Sequence, residues 1–270
     1  MEIEVLERDK LRVRFVVKGV NTEFVNALRR AMLAEVPTMA IEDVVFFENS
    51  SILHDEIIAH RLALIPLKTD LDSYLLPEEC GCGSELGCNR CRVILTLSVE
   101  AGDERRTVYS GDLSPDDPEV KPVYDNIPIV VLAPRQSLKL EAYARLGRGK
   151  DHAKWQPVSV CTHKYYPSVE VDSERCDLCG KCVEICPRKV LAIEEGSLKV
   201  VNLLSCTLCE DCVRACPKNP PAIRVSPVPE AFIFNIESTG SLPVDRIVEE
   251  AAKILEKKLS EFSQKLEELG

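Results

Sequence analysis

The sequence predicts an α+β protein, and three observations carry that prediction. Apolar and polar residues alternate with period two at residues 3–18 (IEVLERDKLRVRFVVK), at 93–101 (VILTLSVEA) and at 230–240 (EAFIFNIESTG), as half-buried strands do. Apolar residues recur at helical spacing near both ends of the chain, at 21–36 and again beyond Pro243. Thirteen cysteines, twelve of them in three regularly spaced sets, mark short loop-rich segments between these elements.

Composition narrows the function classes. A chain of 270 residues can bury a substantial core and suggests one large domain or two to three smaller ones. Its 34 Lys and Arg against 44 Asp and Glu give a net charge of −10, which argues against broad nucleic-acid binding and leaves room for a local basic strip. No apolar run approaches the roughly 18 residues of a membrane span, and MEIEVLERDK lacks the basic-then-apolar pattern of a secretory signal. The expectation is a soluble, cytoplasmic protein whose clustered cysteines ligate metal in a reducing compartment.

In chain order, residues 3–18 read as a hairpin with Leu11, Val13, Phe15 and Val17 on one face and Arg12 and Arg14 on the other. Thr22 then serves as an N-cap and Glu23 as a first-turn acid for a helix carrying Phe24, Val25, Leu28, Ala31 and Met32 on one stripe, stopped by Pro37. TMAIEDVVFFENSSILHDEIIAHRLALIPL follows as a β-rich segment. His54 and His60, six residues apart without companion ligands, read as packing or hydrogen-bonding residues. Asp70 and Asp72 raise the question of a magnesium-dependent site, but no third carboxylate or glycine-rich turn accompanies them, so TDLDSY reads as a solvated loop. No catalytic residue is expected.

Cys80, Cys82, Cys88 and Cys91 are spaced C-x-C-x5-C-x2-C among Gly81, Gly83 and Gly87. Four thiolates in one flexible loop can close around a tetrahedral zinc ion, which makes 80–91 a candidate zinc loop; buried thiols and a labile disulfide pair are the alternatives. Strand-like alternation resumes over 93–147, broken by the acidic surface loop SPDDP. RLGRGKDHAKWQP, residues 145–157, is locally basic and holds the only tryptophan, Trp155. It reads as a solvated loop with one anchored aromatic, or as a contact surface.

Residues 176–187 (CDLCGKCVEICP) and 206–217 (CTLCEDCVRACP) each spell C-x2-C-x2-C-x3-C-P. In two-cluster ferredoxins, three cysteines of each copy and the fourth of the other hold one [4Fe-4S] cubane. Cys176, Cys179 and Cys182 are therefore expected to share a cluster with Cys216, and Cys206, Cys209 and Cys212 with Cys186. Zinc ribbons or disulfides are the competing readings. A hairpin about Glu195-Gly196 separates the copies and AIRV follows the second, which suggests a ferredoxin-like domain over 168–225. After EAFIFNIESTG, Pro243 and Asp245 open a final helix in which Val248, Leu255, Phe262 and Leu269 recur every seven residues, with Ala251, Leu259 and Leu266 widening the stripe.

NALRRAML, then EVPTMAIEDVVFFENSS, then HRLALIPL together resemble the dimerisation motif of the alpha-like RNA polymerase subunits, the archaeal members of that family in particular. GKDHAKWQPVSV at 149–160 and FIFNIESTGSLP at 232–243 extend the resemblance over most of the chain. It implies a discontinuous alpha-like dimerisation domain, 1–45 and 226–270, interrupted by a β-rich insert domain at 46–167 and the iron-sulfur domain at 168–225. It further implies a non-catalytic assembly platform of archaeal DNA-directed RNA polymerase that pairs with a small alpha-like subunit and docks the large catalytic subunits. Phe24, Leu28, Met32, Val248, Leu255 and Phe262 would form the dimer seam. Arg148, Lys150, His152, Lys154 and Trp155 would meet the large subunits, and the clusters would be structural or redox-sensing. Sequence-specific DNA binding is not expected, since no helix-turn-helix pattern is present. The rival reading is an electron-transfer subunit of an oxidoreductase, although no flavin or nicotinamide fingerprint such as G-x-G-x-x-G occurs in the chain.

Overall fold

Asp9 makes the first turn. Its carboxylate accepts the main-chain N–H groups of Leu11 and Arg12 at 2.8 and 2.9 Å, joining β1 (Glu2–Arg8) to β2 (Arg12–Lys18), because a short acceptor side chain can satisfy turn amides. The computed structural model describes residues 1–84 and 86–269. α1 (Thr22–Ala34) follows, and Asn21, not Thr22, caps it: Asn21 Oδ1 accepts the Phe24 N–H at 3.0 Å. The Thr22 hydroxyl lies 3.0 Å from the Tyr165 hydroxyl instead.

β3 (Pro37–Asn49) begins at the helix-stopping proline. The next stretch departs from the β-rich expectation, since Asp55–Ala63 is a helix, α2, with Asp55 and Glu56 in its first turn and Ile58 and Leu62 buried one turn apart. The remaining elements are β4 (Arg92–Glu100), β5 (Arg106–Tyr109), β6 (Ser114–Pro115), β7 (Pro128–Leu132), β8 (Ser137–Arg148), β9 (Val158–Val171), α3 (Lys181–Glu184), β10 (Leu191–Glu194), β11 (Ser197–Val200), α4 (Asp211–Arg214), β12 (Ile223–Ser238) and α5 (Val244–Glu267). The two strands expected around AIRV and EAFIFNIESTG thus merge into one long strand. Among the described residues no helix is long and apolar enough to cross a membrane.

The chain divides into two compact units, where sequence suggested three domains. The boundaries expected at 45, 167 and 225 fall inside β3, β9 and β12, because strands of 13 to 16 residues run on through the places where composition changes.

One unit comprises Met1–Glu7, Arg14–Val25 and Thr162–Asn235. It holds most of a four-stranded sheet in the order β1-β2-β12-β9. Phe15 stacks on Phe234 with ring centroids 5.1 Å apart, and Tyr165 lies tilted against Phe232 at 4.8 Å, contacts that bury large apolar surface. The unit also contains the antiparallel pair β10–β11, whose turn residues Glu195 and Gly196 take φ of 52° and 71°, the left-handed geometry of a two-residue hairpin.

The other unit comprises Arg8–Val13, Asn26–Cys161 and Ile236–Gly270. Its sheet runs β3-β8-β4-β6, with β8 antiparallel to both β3 and β4. Val93, Leu95, Leu97 and Val99 alternate inward on β4, and Leu138, Leu140, Ala142 and Ala144 on β8. α2 packs Ile58 and Leu62 into the same core. α5 buries Val244, Ile247 and Ala251 at its start and emerges beyond them.

Candidate metal centres and dimerisation surface

Two cavities in the first unit are lined by the cysteines of the twin repeat. One is bounded by Cys176, Cys179, Cys182 and Cys216 with Ile193, Leu198 and Ile223; the other by Cys186, Cys206, Cys209 and Cys212 with Val169, Leu191 and Val225. The structure therefore gathers three cysteines of each copy with the fourth of the other. All of them are thiols rather than disulfides. The two copies also share a backbone: Leu178 and Leu208 both sit at φ 59°, and Gly180 and Glu210 at 79° and 61°. These left-handed positions bend each loop ahead of the four-residue helices α3 and α4.

The chemistry of the donor set fits a multi-iron centre. Burial pushes the Cys212 thiol up to about 11, against the Val213 N–H and with further upward push from Cys186 and Cys206. Burial raises Cys182 as well. Crowded thiols in apolar walls stay protonated unless a cation compensates them, and a cluster of irons supplies that charge.

The two cavities differ in their charged surroundings. At the first, Asp177 pairs with Lys218 at 3.1 Å. At the second, Asp211 pairs with Arg214 at 2.5 Å, Arg188, Glu210 and Asp211 are in the lining, and Lys164 of β9 approaches the turn that leads into Cys206. The Lys164 ammonium donates to the carbonyls of Leu204 and Cys206, both at 2.7 Å, and Arg14 on β2 donates to Leu204 O at 3.3 Å. Sequence reasoning missed Lys164 and Arg14, which lie 40 or more residues from the turn they approach and carry no local signature.

The third cysteine set lies in the second unit. The Sγ atoms of Cys80, Cys82, Cys88 and Cys91 all fall within 4.8 Å of one another, with Cys80–Cys88 at 3.7 Å and Cys82–Cys91 and Cys88–Cys91 at 3.9 Å. A tetrahedral zinc with bonds near 2.3 Å has ligand edges of about 3.8 Å, so the spacing fits. Cys88 N–H donates to Cys91 Sγ at 3.2 Å. Gly87 sits at φ +80°, where an added Cβ would come within 3.0 Å of Cys91 Sγ. The Arg90 N–H holds the Cys88 thiol down to about 7, whereas burial lifts Cys91 to about 12. That contrast gives a cation one ready thiolate and buried donors that it must itself deprotonate.

Burial separates the expected dimer-seam residues. Met32 is fully buried and Leu28 is 8% exposed, so these two already belong to the chain's own packing and correct the expectation that they face a partner. Val248 and Leu255 are half-buried. Phe24 is exposed, and the open apolar face of α5 is carried by Leu259 (69% exposed), Phe262 (62%) and Leu266 (53%).

The basic loop also needs correction. Trp155 is buried, its indole N–H donating to Arg145 O at 3.2 Å, and it lies so close over Gly147 that a Cβ there would come 2.3 Å from the ring. Lys154 is half-buried with its side chain only 8% exposed, paired with Glu42 and donating to Ile41 O at 3.0 Å. Both lock the loop onto β3 and β8 rather than offering themselves outward. Arg148 pairs with Glu78 and Lys150 with Glu35 at 3.5 Å, and His152, exposed, accepts the Lys154 N–H at 3.0 Å. Asp70 accepts the amides of Asp72 and Ser73, and Asp72 pairs with Arg246, an arrangement of a structured loop rather than of a cation site.

Comparison with known proteins identifies the family. Residues 14–259 match the RNA polymerase Rpb3/Rpb11 dimerisation domain. The chain is 47% identical to the DNA-directed RNA polymerase subunit Rpo3 of Methanosphaera stadtmanae, with 96% of each chain covered. It is 47% identical to that of Archaeoglobus fulgidus (99% of this chain, 98% of the relative) and 42% identical to that of Pyrococcus furiosus (100% and 98%). The chain belongs to the archaeal Rpo3 family of DNA-directed RNA polymerase subunits, built on the Rpb3/Rpb11 dimerisation domain.

Proposed function

We propose that this chain is the non-catalytic assembly platform of an archaeal RNA polymerase, pairing with a small alpha-like subunit and presenting the pair to the large catalytic subunits. Its activity belongs to a nucleotidyltransferase complex, and no residue of this chain is assigned to the chemistry. The observation that carries the reading is the Rpb3/Rpb11 dimerisation domain over residues 14–259, ending on a helix whose outer half leaves Leu259, Phe262 and Leu266 in solvent. Burying one such side chain against a partner contributes about 1.5–3 kcal/mol before the costs of association.

The twin cysteine sets would hold two [4Fe-4S] clusters and the 80–91 loop a zinc ion, each tying together loops that have little apolar core of their own. Bound iron would bring a one-electron couple, which leaves a structural and a redox-sensing role open to the same residues. An electron-transfer subunit is the less favoured reading, because the relatives that span nearly the whole chain are polymerase subunits.

Anaerobic affinity purification of the tagged chain, with identification of the co-purifying chains and an assay of templated RNA synthesis, tests the platform. Polymerase subunits with activity support it; an oxidoreductase in their place overturns it. Phe262→Asp is expected to weaken pairing at least tenfold while leaving the free chain's melting temperature unchanged. Leu28→Asp instead lowers that melting temperature, because it places a charge in the chain's own core.

A further inference from the structure

We propose that Lys164, backed by Arg14, is a positioning residue of the second cysteine set and makes the cluster held there easier to reduce than the cluster of the first set. The inference deepens the two-cluster reading and rests on it.

Two loops of one repeated sequence stand in unequal charge. Around the first set, Asp177 and Lys218 balance. Around the second, Arg214, Arg188, Lys164 and Arg14 stand against Asp211, Glu210 and Glu7, the last paired with Arg14 at 3.4 Å, which leaves one positive charge in excess. Lys164 is the decisive member. Its side chain leaves β9 and ends on two carbonyls, those of Leu204 and of the ligand residue Cys206 itself, each at 2.7 Å. Among the described residues no carboxylate forms an ion pair with it, so its charge is not cancelled locally. Arg14 ties the same turn to β2 through Leu204 O. No corresponding strand cation donates to the first loop among the described residues; there the cavity wall is made of Ile193, Leu198, Ala222 and Ile223 with the Asp177–Lys218 pair.

Two consequences follow from elementary electrostatics. A cation in partly buried surroundings is weakly screened and favours the state of the cluster that carries one more electron. Holding the carbonyls on both sides of the turn also fixes where Cys206 Sγ stands, so the second site depends on the sheet in a way the first does not.

The test uses the full chain co-produced with its small partner subunit and purified without oxygen. Iron and acid-labile sulfide are measured first; their absence from the unsubstituted protein sinks the two-cluster reading, whatever Lys164 does. With clusters present, the one-electron couples are titrated with dithionite and followed by electron paramagnetic resonance. Cys179→Ser and Cys209→Ser assign each couple to its set. The expected result is that the more positive couple is the one missing from Cys209→Ser. In Lys164→Met that couple moves to more negative potential, or is lost with roughly half the iron, while the first set's couple stays. Lys164→Arg restores it. Arg14→Met shifts the same couple in the same direction by less, and stands as the second variant should Lys164→Met fail to fold. An equal shift of both couples, a shift confined to the first, no shift in either variant, or assignment of the more positive couple to the first set overturns the proposal.

Discussion

The cysteine module and the β3–β8 core are built on opposite physical plans. Among the described residues the second unit gathers 23 buried apolar side chains into one cluster contributed by α2, by β3, β4, β5, β7 and β8, and by the loops between them. Around the twin repeat the corresponding cluster has five, and one of those is the repeat cysteine Cys206. Segments with so little apolar surface to bury do not offset the entropy of ordering their loops, and bound metal is the usual remedy. If the twin repeat holds the proposed clusters, one chain combines a region that folds from its own side chains with another whose order depends on what it binds.

The largest effect expected from this contrast comes from removing iron. Chelation under reducing conditions should abolish hydrogen-exchange protection across residues 172–225 while leaving that of β4 and β8 intact. Retained protection in the module without iron would break the comparison. Next in size, Leu95→Ala opens a cavity in the apolar core and should cost about 2–5 kcal/mol in denaturant unfolding of the second unit. The same change should leave iron content unaltered; a loss of iron would show that the two plans are not separate.

A smaller effect is expected with pH. Burial pushes Glu42 up, but Lys154 and Arg145 outweigh it and hold the carboxylate below its ordinary 4.5. A depressed folded-state value means that the stabilisation is complete above 4.5 and is lost as pH falls through the lower, folded value. Glu42→Gln should therefore flatten the acid limb of the second unit's stability profile; an unchanged acid limb would show that this pair does not set it. The smallest effect is at Glu210, held at φ 61° where its counterpart in the first copy is Gly180. Glu210→Gly should raise the stability of the metal-loaded chain by about 1 kcal/mol or less, read as a small rise in melting temperature.

Legibility in the sequence followed the range of the interactions. The twin C-x2-C-x2-C-x3-C-P motif and the Glu195-Gly196 hairpin are local, and the structure has them where the spacing puts them. α2 was hidden in a β-rich stretch because Val44, Val45, Phe46 and Phe47 dominate its composition, whereas the helix signal is only an acidic first turn and Ile58 and Leu62 four residues apart. The partner of the Thr22 hydroxyl, Tyr165, lies far along the chain, so the capping role passed to Asn21 without leaving a trace in the local pattern.

By itself the sequence determined the three cysteine sets, their spacing and the apolar stripes, since these depend on residue chemistry and on the fixed periods of helix and strand. Tertiary structure alone decided which members of each stripe stay open. Met32 and Phe262 look alike on a helical wheel, yet one is sealed in the core and the other stands in solvent. It also decided that Lys154 and Trp155 face inward, and that Lys164 meets the turn before Cys206. Burial and charge proximity are properties of residues brought together from far apart, and no local pattern encodes them.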